Sequence, residues 1–302
     1  MSEQLLARWH AVRRTRKEEL AEFFGSFLVI LFGAGVECQV RLHYAEHGMN
    51  GAFGNYLQCR FAWAAGIALG CWVAGGLSGA HLNPAVTIAM RVLRRFPERK
   101  LLSYIAAQFM GYFAGSLVIY YLYHDSISAY EGGVVRTVLG EHASAGMFVT
   151  FPNALISLST AYATELIATA TLLFIVAALG DKGNWALSRG AMPVGLFFAV
   201  LAIGAALGFN TGYALNPARD LGPRVALTLL GYGSELWTHD GAYWLFGPTL
   251  APIAGGLLGV GLYDAFLYTG DDSVLTERLA PVALASDADE EHFARVEHDR
   301  VE

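Results

Sequence analysis

Six stretches of the chain stay predominantly apolar for about 20 residues, the length a helix needs to cross a bilayer. They lie near 20–40, 57–77, 101–123, 157–180, 190–209 and 243–267. Glu22, Arg60 and Glu165 are the ionisable side chains hardest to place in lipid within them. Two further apolar segments, 83–93 and 216–230, are too short to cross. Each opens on the same triplet, Asn83-Pro84-Ala85 and Asn216-Pro217-Ala218. Asn is a favoured helix N-cap, and Pro suits the first helical position because its missing N–H has no intrahelical partner there. Each triplet therefore predicts the start of a half-length helix.

The pattern repeats. Ala21-Glu22-Phe23 opens the first half and Ala163-Thr164-Glu165 the second. Each half has three spans, with an Asn-Pro-Ala segment between its second and third. Three is odd, so the second half is inverted relative to the first, and the two half-helices enter from opposite faces. Broken helices in inverted repeats place binding sites near the midplane. Non-helical backbone at that depth survives only where it is buried or lines a water-filled cavity. The predicted fold is an all-α membrane protein of six transmembrane helices and two re-entrant half-helices. The predicted layout is an N-terminal tail at 1–18, a channel domain at 19–268 and a C-terminal tail at 269–302. The repeats occupy about 19–124 and 157–268 and are joined by an extracellular loop at 125–156.

Charge fixes the orientation. Lys and Arg crowd the N-terminal segment, the connector after the first half-helix (Arg91, Arg94, Arg95, Arg99, Lys100) and the connector between spans four and five (Lys182, Arg189). The positive-inside rule then places both termini in the cytoplasm, with the plasma membrane the expected location. No cleavable signal peptide is predicted, because the basic N-terminal stretch leads into a full-length apolar run that serves as its own insertion signal. The C-terminal tail is rich in Asp and Glu and predicts disorder. Of 302 residues, 55% are hydrophobic and only 15% charged, against about 25% charged in a soluble domain. No basic face is sustained, which excludes a nucleic-acid partner. Three cysteines without CxxC spacing give no disulfide framework or zinc site, although Cys38 and Cys59 fall on the same outer side and leave one bridge open. No nucleophile–base set and no metal-ligand cluster occurs in the spans, so neither an enzyme nor a metal or other cofactor is expected.

The chemistry follows from where the triplets meet. Each half-helix N-terminus carries about half a positive charge, so their junction repels cations and migrating protons. The amides of Asn83 and Asn216 offer donors there to a neutral solute bearing oxygen lone pairs. One such triplet alone is simply a helix cap; two at matched places in an inverted repeat describe a pore for uncharged polar molecules. Glu22 and Glu165 sit at equivalent places, where an ionisable group is expensive and functional by default. They read either as a proton relay or as acceptors bracing the backbone N–H groups of the adjacent loops. Their symmetry and the lack of a chain of further acids favour bracing. Arg219, in the first turn of the second half-helix, is disfavoured by the helix dipole, and filtering is the expected gain. His81 reads as a pore-lining or loop-bracing side chain, since no second metal ligand is spaced for it; pH gating through it has little support.

Residues 78–87, Ser-Gly-Ala-His-Leu-Asn-Pro-Ala-Val-Thr, and 212–224, Gly-Tyr-Ala-Leu-Asn-Pro-Ala-Arg-Asp-Leu-Gly-Pro-Arg, resemble the major intrinsic protein family of aquaporins over roughly 18–268. Asp220 and Arg224 resemble its glycerol-conducting members, as do the stretches Phe148-Val149-Thr150-Phe151-Pro152-Asn153 and Asp181-Lys182-Gly183-Asn184. The resemblance implies a selectivity filter of Trp63, Gly204, Tyr213 and Arg219, where water-selective members have Phe and His at the first two places. Tyr213 departs from the Phe of the bacterial glycerol facilitator, and Thr249 replaces a larger apolar residue. The implied filter gives glycerol an aromatic corner of Trp63 and Tyr213, donors on Arg219, and at Gly204 the space a His would fill. Backbone carbonyls of Gly79, Ala80 and His81, and of Thr211, Gly212 and Tyr213, would accept hydroxyl protons along the file. The resemblance also implies a homotetramer with one pore per subunit. The implied partners are glycerol, water, other small neutral solutes and the lipid bilayer. A water-selective pore and a proton-coupled transporter stand as the alternatives.

Overall fold

A computed structural model describes residues 3–47 and 53–275. Among the described residues there is no strand, and the helices are α1 Glu3–Thr15, α2 Lys17–His47, α3 Tyr56–Ser78, α4 Pro84–Leu93, α5 Glu98–Glu131, α6 Leu158–Gly180, α7 Met192–Leu207, α8 Pro217–Leu229, α9 Glu235–Thr238, α10 Tyr243–Leu245 and α11 Ala251–Phe266. Helices α2, α3, α5, α6 and the run from Tyr243 to Phe266 are long and apolar enough to cross a membrane. The sixth crossing, α7, has 16 residues; at about 1.5 Å per residue it rises about 24 Å, short of a full bilayer core. It stops before the expected residue 209 because the chain leaves the helix at Gly208 to enter the second re-entrant loop, where Gly212 N donates to Gly208 O at 2.9 Å.

Other stretches differ from the sequence expectation as well, and helix α2 runs on to His47, past residue 40. Helix α5 continues to Glu131, into what the pattern assigned to the outer loop, and ends at Gly132 with φ 74°. Glu131 then anchors that loop: it pairs with Arg136 at 3.0 Å and accepts from Thr137 N at 2.8 Å and Ser144 Oγ at 2.8 Å. Tyr232 shares a hydrogen bond with Ser144, and burial pushes its pKa up from the usual tyrosine value. The last crossing is interrupted by a π-helical turn, Phe246–Leu250, ahead of α11. Pro248 and Pro252 supply no N–H to the ladder there, and Thr249 Oγ1 donates to Trp244 O at 2.7 Å.

Glu18 at the start of α2 accepts from Lys100 and Tyr104 of α5, both at 2.6 Å, and Arg94 after α4 pairs with Asp264 of α11 at 2.5 Å. Both ends of the described chain thus share one face of the bundle with the α4–α5 connector, and we call that face inner. Residues 269–275, expected as disordered tail, return to this face: Ser273 Oγ donates to Asp264 at 2.6 Å and Arg94 Nη1 lies 3.4 Å from Asp272. Residues 276–302 of the expected tail lie outside the described residues.

Glycines set the helix spacing twice over. On α5, a Cβ at Gly111 would strike Phe23 O, and one at Gly115 would lie 3.0 Å from Phe27 O of α2. On α11, Cβ atoms at Gly255 and Gly259 would strike Leu166 O and Ala170 O of α6. The same close approach recurs in each half, as small residues at membrane helix interfaces allow. The bundle is therefore two inverted repeats, with apolar cores gathered around α2 and α5 and around α6 and α7.

Candidate functional site

Asn83 and Asn216 take extended backbone and cap α4 and α8: Asn83 Oδ1 accepts from Ala85 N at 2.8 Å, and Asn216 Oδ1 from Ala218 N at 3.0 Å and Arg219 N at 3.2 Å. The loops feeding them are wound alike. Gly79, Ala80 and Leu82 in one, and Gly212, Tyr213 and Leu215 in the other, have positive φ. For non-glycine residues that conformation is strained by about 1 kcal/mol or more each. What holds it is a pair of buried carboxylates. Glu22 accepts from Ser78 Oγ (2.5 Å), His81 N (2.9 Å) and Leu82 N (2.7 Å). Glu165 accepts from Thr211 Oγ1 (2.5 Å), Ala214 N (2.9 Å) and Leu215 N (2.9 Å). The halves differ at one partner. Gln108 Nε2 donates to Glu22 at 2.8 Å, whereas the corresponding place in α11 is Pro252.

At the midplane the two halves bind each other. Asn83 Nδ2 donates to Leu215 O at 2.8 Å; Asn216 Nδ2 donates to Leu82 O at 2.8 Å and to Tyr112 Oη at 2.9 Å. The amides are thus less free for a solute than the triplets alone imply. Asn216 spends both amide hydrogens on protein and Asn83 keeps one.

A cavity of about 760 Å³ runs from the α6–α7 connector on the inner face, past both asparagines, to Trp63, Tyr213 and Arg219. Gly79, Ala80, His81 and Gly212 line it. Thr211 does not; it is buried on Glu165. His81 is packed against Phe96 and Tyr104, with Nδ1 3.2 Å from Thr87 Oγ1. Arg219 donates from Nη1 to Phe148 O at 2.7 Å, and its guanidinium lies 4.1 Å from the Trp63 ring centre. Beside it, Asp220 and Arg224 form a fully buried ion pair. Asp220 also accepts from Thr150 N and Oγ1, both at 2.7 Å, and Arg224 donates to Thr150 O at 2.5 Å. The pair therefore pins the loop whose Phe148 carbonyl holds Arg219.

Gly204 corrects the sequence reading. It does not leave a vacancy: a Cβ there would lie 2.8 Å from Tyr213 Cζ and 3.0 Å from its hydroxyl. The Tyr213 ring has moved into the space that glycine frees, and Gly204 is not among the cavity's lining residues. The three cysteines are free and buried, so Cys38 and Cys59 do not pair.

The model of the family described as Major intrinsic protein matches residues 9–263. The chain belongs to the major intrinsic protein family. Among similar proteins, an aquaporin of Laccaria bicolor is 44% identical over 270 residues, covering 89% of this chain and 80% of the relative. A protein named probable aquaglyceroporin-2, from Gibberella zeae, is 43% identical over 271 residues, covering 89% and 77%. Among solved structures, the aquaglyceroporin from Plasmodium falciparum superposes with a TM-score of 0.72 at 31% identity, covering 83% of this chain and 96% of that one.

Several residues around the pore of this major intrinsic protein escaped the sequence reading. Glu37 pairs with Arg60 and accepts from Trp63 Nε1 at 3.3 Å; its one sequence signal was a second acid in the first span. Tyr112 accepts from Asn216 and donates to Leu82 O at 3.2 Å. Tyr56 Oη donates to Gly204 O at 2.8 Å. Neither tyrosine stands near a motif in sequence.

Proposed function

We propose that this chain is a passive channel for glycerol and small uncharged solutes that also passes water and excludes ions and protons. One observation carries the proposal: a continuous cavity passes between two half-helix N-termini locked together by Asn83 and Asn216 and ends at Trp63, Tyr213 and Arg219. The converging N-termini oppose cations. The guanidinium of Arg219, bonded to protein through one of its N–H groups, retains donors for a solute. Trp63 and Tyr213 give the carbon edge of a polyol an aromatic wall. The names of the fungal relatives and of the solved aquaglyceroporin support a glycerol-conducting assignment. We assign Trp63, Gly204, Tyr213 and Arg219 to the filter, Gly204 acting by admitting the Tyr213 ring. Glu22 and Glu165 brace the loops. The protein works as a homotetramer in the plasma membrane with cytoplasmic termini, an orientation supported by the basic residues of the inner connectors.

The Tyr213 ring beside Gly204 favours the narrower alternative, a water-selective pore. Stopped-flow light scattering on proteoliposomes under water and glycerol gradients at two pH values separates the readings. Fast shrinkage and fast glycerol re-entry at both pH values are expected. Water flux without glycerol flux refutes the glycerol assignment, and uptake that requires a proton gradient refutes a passive channel.

A further inference from the structure

On α3 the cavity-lining residues Trp63, Ile67, Cys71 and Gly75 form one stripe of the helix. One turn further outward the stripe reaches Arg60, and the next turn reaches Tyr56. The repeat points to the same place. With Asn83 set against Asn216, Arg60 falls opposite Pro193 and Trp63 opposite Leu196, and both Pro193 and Leu196 line the inner part of the cavity. Arg60 is thus the outer-mouth counterpart of a pore-lining residue.

Arg60 is 5% exposed and held from three sides. Its guanidinium lies 4.4 Å from the Tyr56 ring centre and 4.8 Å from that of Tyr213, and Glu37 pairs with it. The same Glu37 oxygen accepts from Trp63 Nε1, and the other lies 3.5 Å from Arg41 Nε. Two polar atoms of the cluster, Arg60 Nε and Tyr213 Oη, are buried without a hydrogen-bond partner. Such atoms call for a ligand or water to complete them. One is a donor and the other donates or accepts, so a solute hydroxyl, which does both, matches the pair.

We propose that Arg60, fixed by Glu37, is a further specificity-determining residue: with Tyr56 and Tyr213 it forms an outer constriction bearing a hydroxyl-binding subsite, where polyols are screened before they reach Trp63 and Arg219. The proposal rests on the reading of the chain as a solute channel. The stack of Tyr56, Arg60 and Tyr213 parts as a solute enters, and the ion pair to Glu37 limits how far it parts. Arg60 Nε and Tyr213 Oη are then open to a hydroxyl entering the mouth.

The test compares wild type, Glu37→Gln/Arg60→Gln and Arg60→Lys in proteoliposomes, with water, glycerol and the four-carbon polyol erythritol as probes. The double variant removes both charges together and leaves no unpaired buried ion. Lys keeps the charge but lacks the planar stack and the Nε–H. The amount of reconstituted channel is quantified by immunoblot, and water permeability supplies the denominator of the ratio. The erythritol-to-water ratio is expected to rise roughly tenfold in the double variant, the low end of what one extra carbon meets in a shaped site. A smaller rise is expected in Arg60→Lys. A ratio that stays level or falls in both variants overturns the proposal. If the double variant does not fold, Arg60→Lys decides by the same criterion. Wild type that passes glycerol, with no shift in the variants, sinks the constriction and spares the glycerol reading. Wild type that passes none, with a shifted ratio in the variants, does the reverse.

Discussion

Replacing Glu165 by Gln preserves shape and removes the symmetry of the brace. The carboxylate accepts from Thr211 Oγ1 and Ala214 N on one oxygen and from Leu215 N on the other. A Gln amide presents one oxygen and one NH2, so in either orientation an NH2 faces a backbone N–H. That N–H is stranded at about 1–3 kcal/mol, and the surviving bonds drop from charge-assisted to neutral strength, about 1 kcal/mol each. Relief from burying a carboxylate offsets part of this. The net loss is about 2–3 kcal/mol, which at about 2–4 °C per kcal/mol lowers the unfolding midpoint by about 4–12 °C. Glu22→Gln is expected to lose less. Gln108 Oε1 is buried without a partner, so a flip of that side chain offers an acceptor to the new amide, whereas Pro252 opposite Glu165 offers none. Intrinsic-fluorescence melts in detergent and glycerol flux in proteoliposomes read both variants. If Glu165→Gln melts with wild type, or if Glu22→Gln is the weaker of the two, the bracing account fails. If either melts normally but loses a dependence on proton gradient, the carboxylate is a relay.

Three further substitutions probe the pore and its frame. Gly204→Ala places a methyl 2.8 Å from Tyr213 Cζ and pushes the ring into the path, so the ratio of glycerol to water permeability should fall; an unchanged ratio removes Gly204 from the filter. Asp220→Asn leaves Arg224 buried without its partner and should cost about 3–5 kcal/mol, with Asp220→Asn/Arg224→Gln recovering part of the loss; thermal melts of the single and double variants decide. Gly259→Val drives a side chain into the Ala170 carbonyl. Overpacking of this kind typically costs about 1–3 kcal/mol, so the variant should melt earlier and aggregate on size exclusion, and wild-type behaviour would mean that α6 and α11 can separate.

What the sequence made legible was whatever depends on local rules or on the repeat. The half-helices begin at Pro84 and Pro217 because Asn-Pro fixes a helix start, and the register of Glu22 with Glu165 follows from aligning the halves. Long-range substitution of one side chain for another was not legible. A glycine at 204 tells that a side chain is missing, but not that Tyr213 fills the gap from the loop. Glu37 and Arg60 are separated by a whole helix–helix connection, so each looks like a lone charge until α2 and α3 are packed. The ends of α5 and α7 were misjudged for a different reason. A hydropathy window reports what tolerates lipid, whereas Glu131 extends its helix by anchoring a loop and Leu207 ends its helix because the re-entrant backbone must begin.

The repeat also separates the parts that hold the pore from the parts that choose. Where the halves agree, as in Ser78 with Thr211, Glu22 with Glu165 and Asn83 with Asn216, the residues bind backbone and shape the path. Where they disagree, the filter chemistry enters on the outer side, while on the inner side His81 stands opposite Ala214 and packs against Phe96 and Tyr104. Set in register, Tyr213 stands opposite Ala80, Arg219 opposite Val86, Asp220 opposite Thr87, Trp63 opposite Leu196 and Arg60 opposite Pro193. Every aromatic or charged member of these pairs belongs to the outer half of the pore or to the ion pair that supports it, and the inner members are small, apolar or hydroxylic. A narrow, polar region at the outer end is enough to sort solutes, and a matching one at the inner end would add drag without adding discrimination. The asymmetry therefore predicts that exchanging outer residues for their inner counterparts, as in Arg219→Val, erodes selectivity while the folded frame persists. Ion leak and polyol permeability in proteoliposomes should rise in that variant with a melting midpoint close to wild type. A variant that instead melts far earlier while its selectivity holds would place Arg219 in the frame.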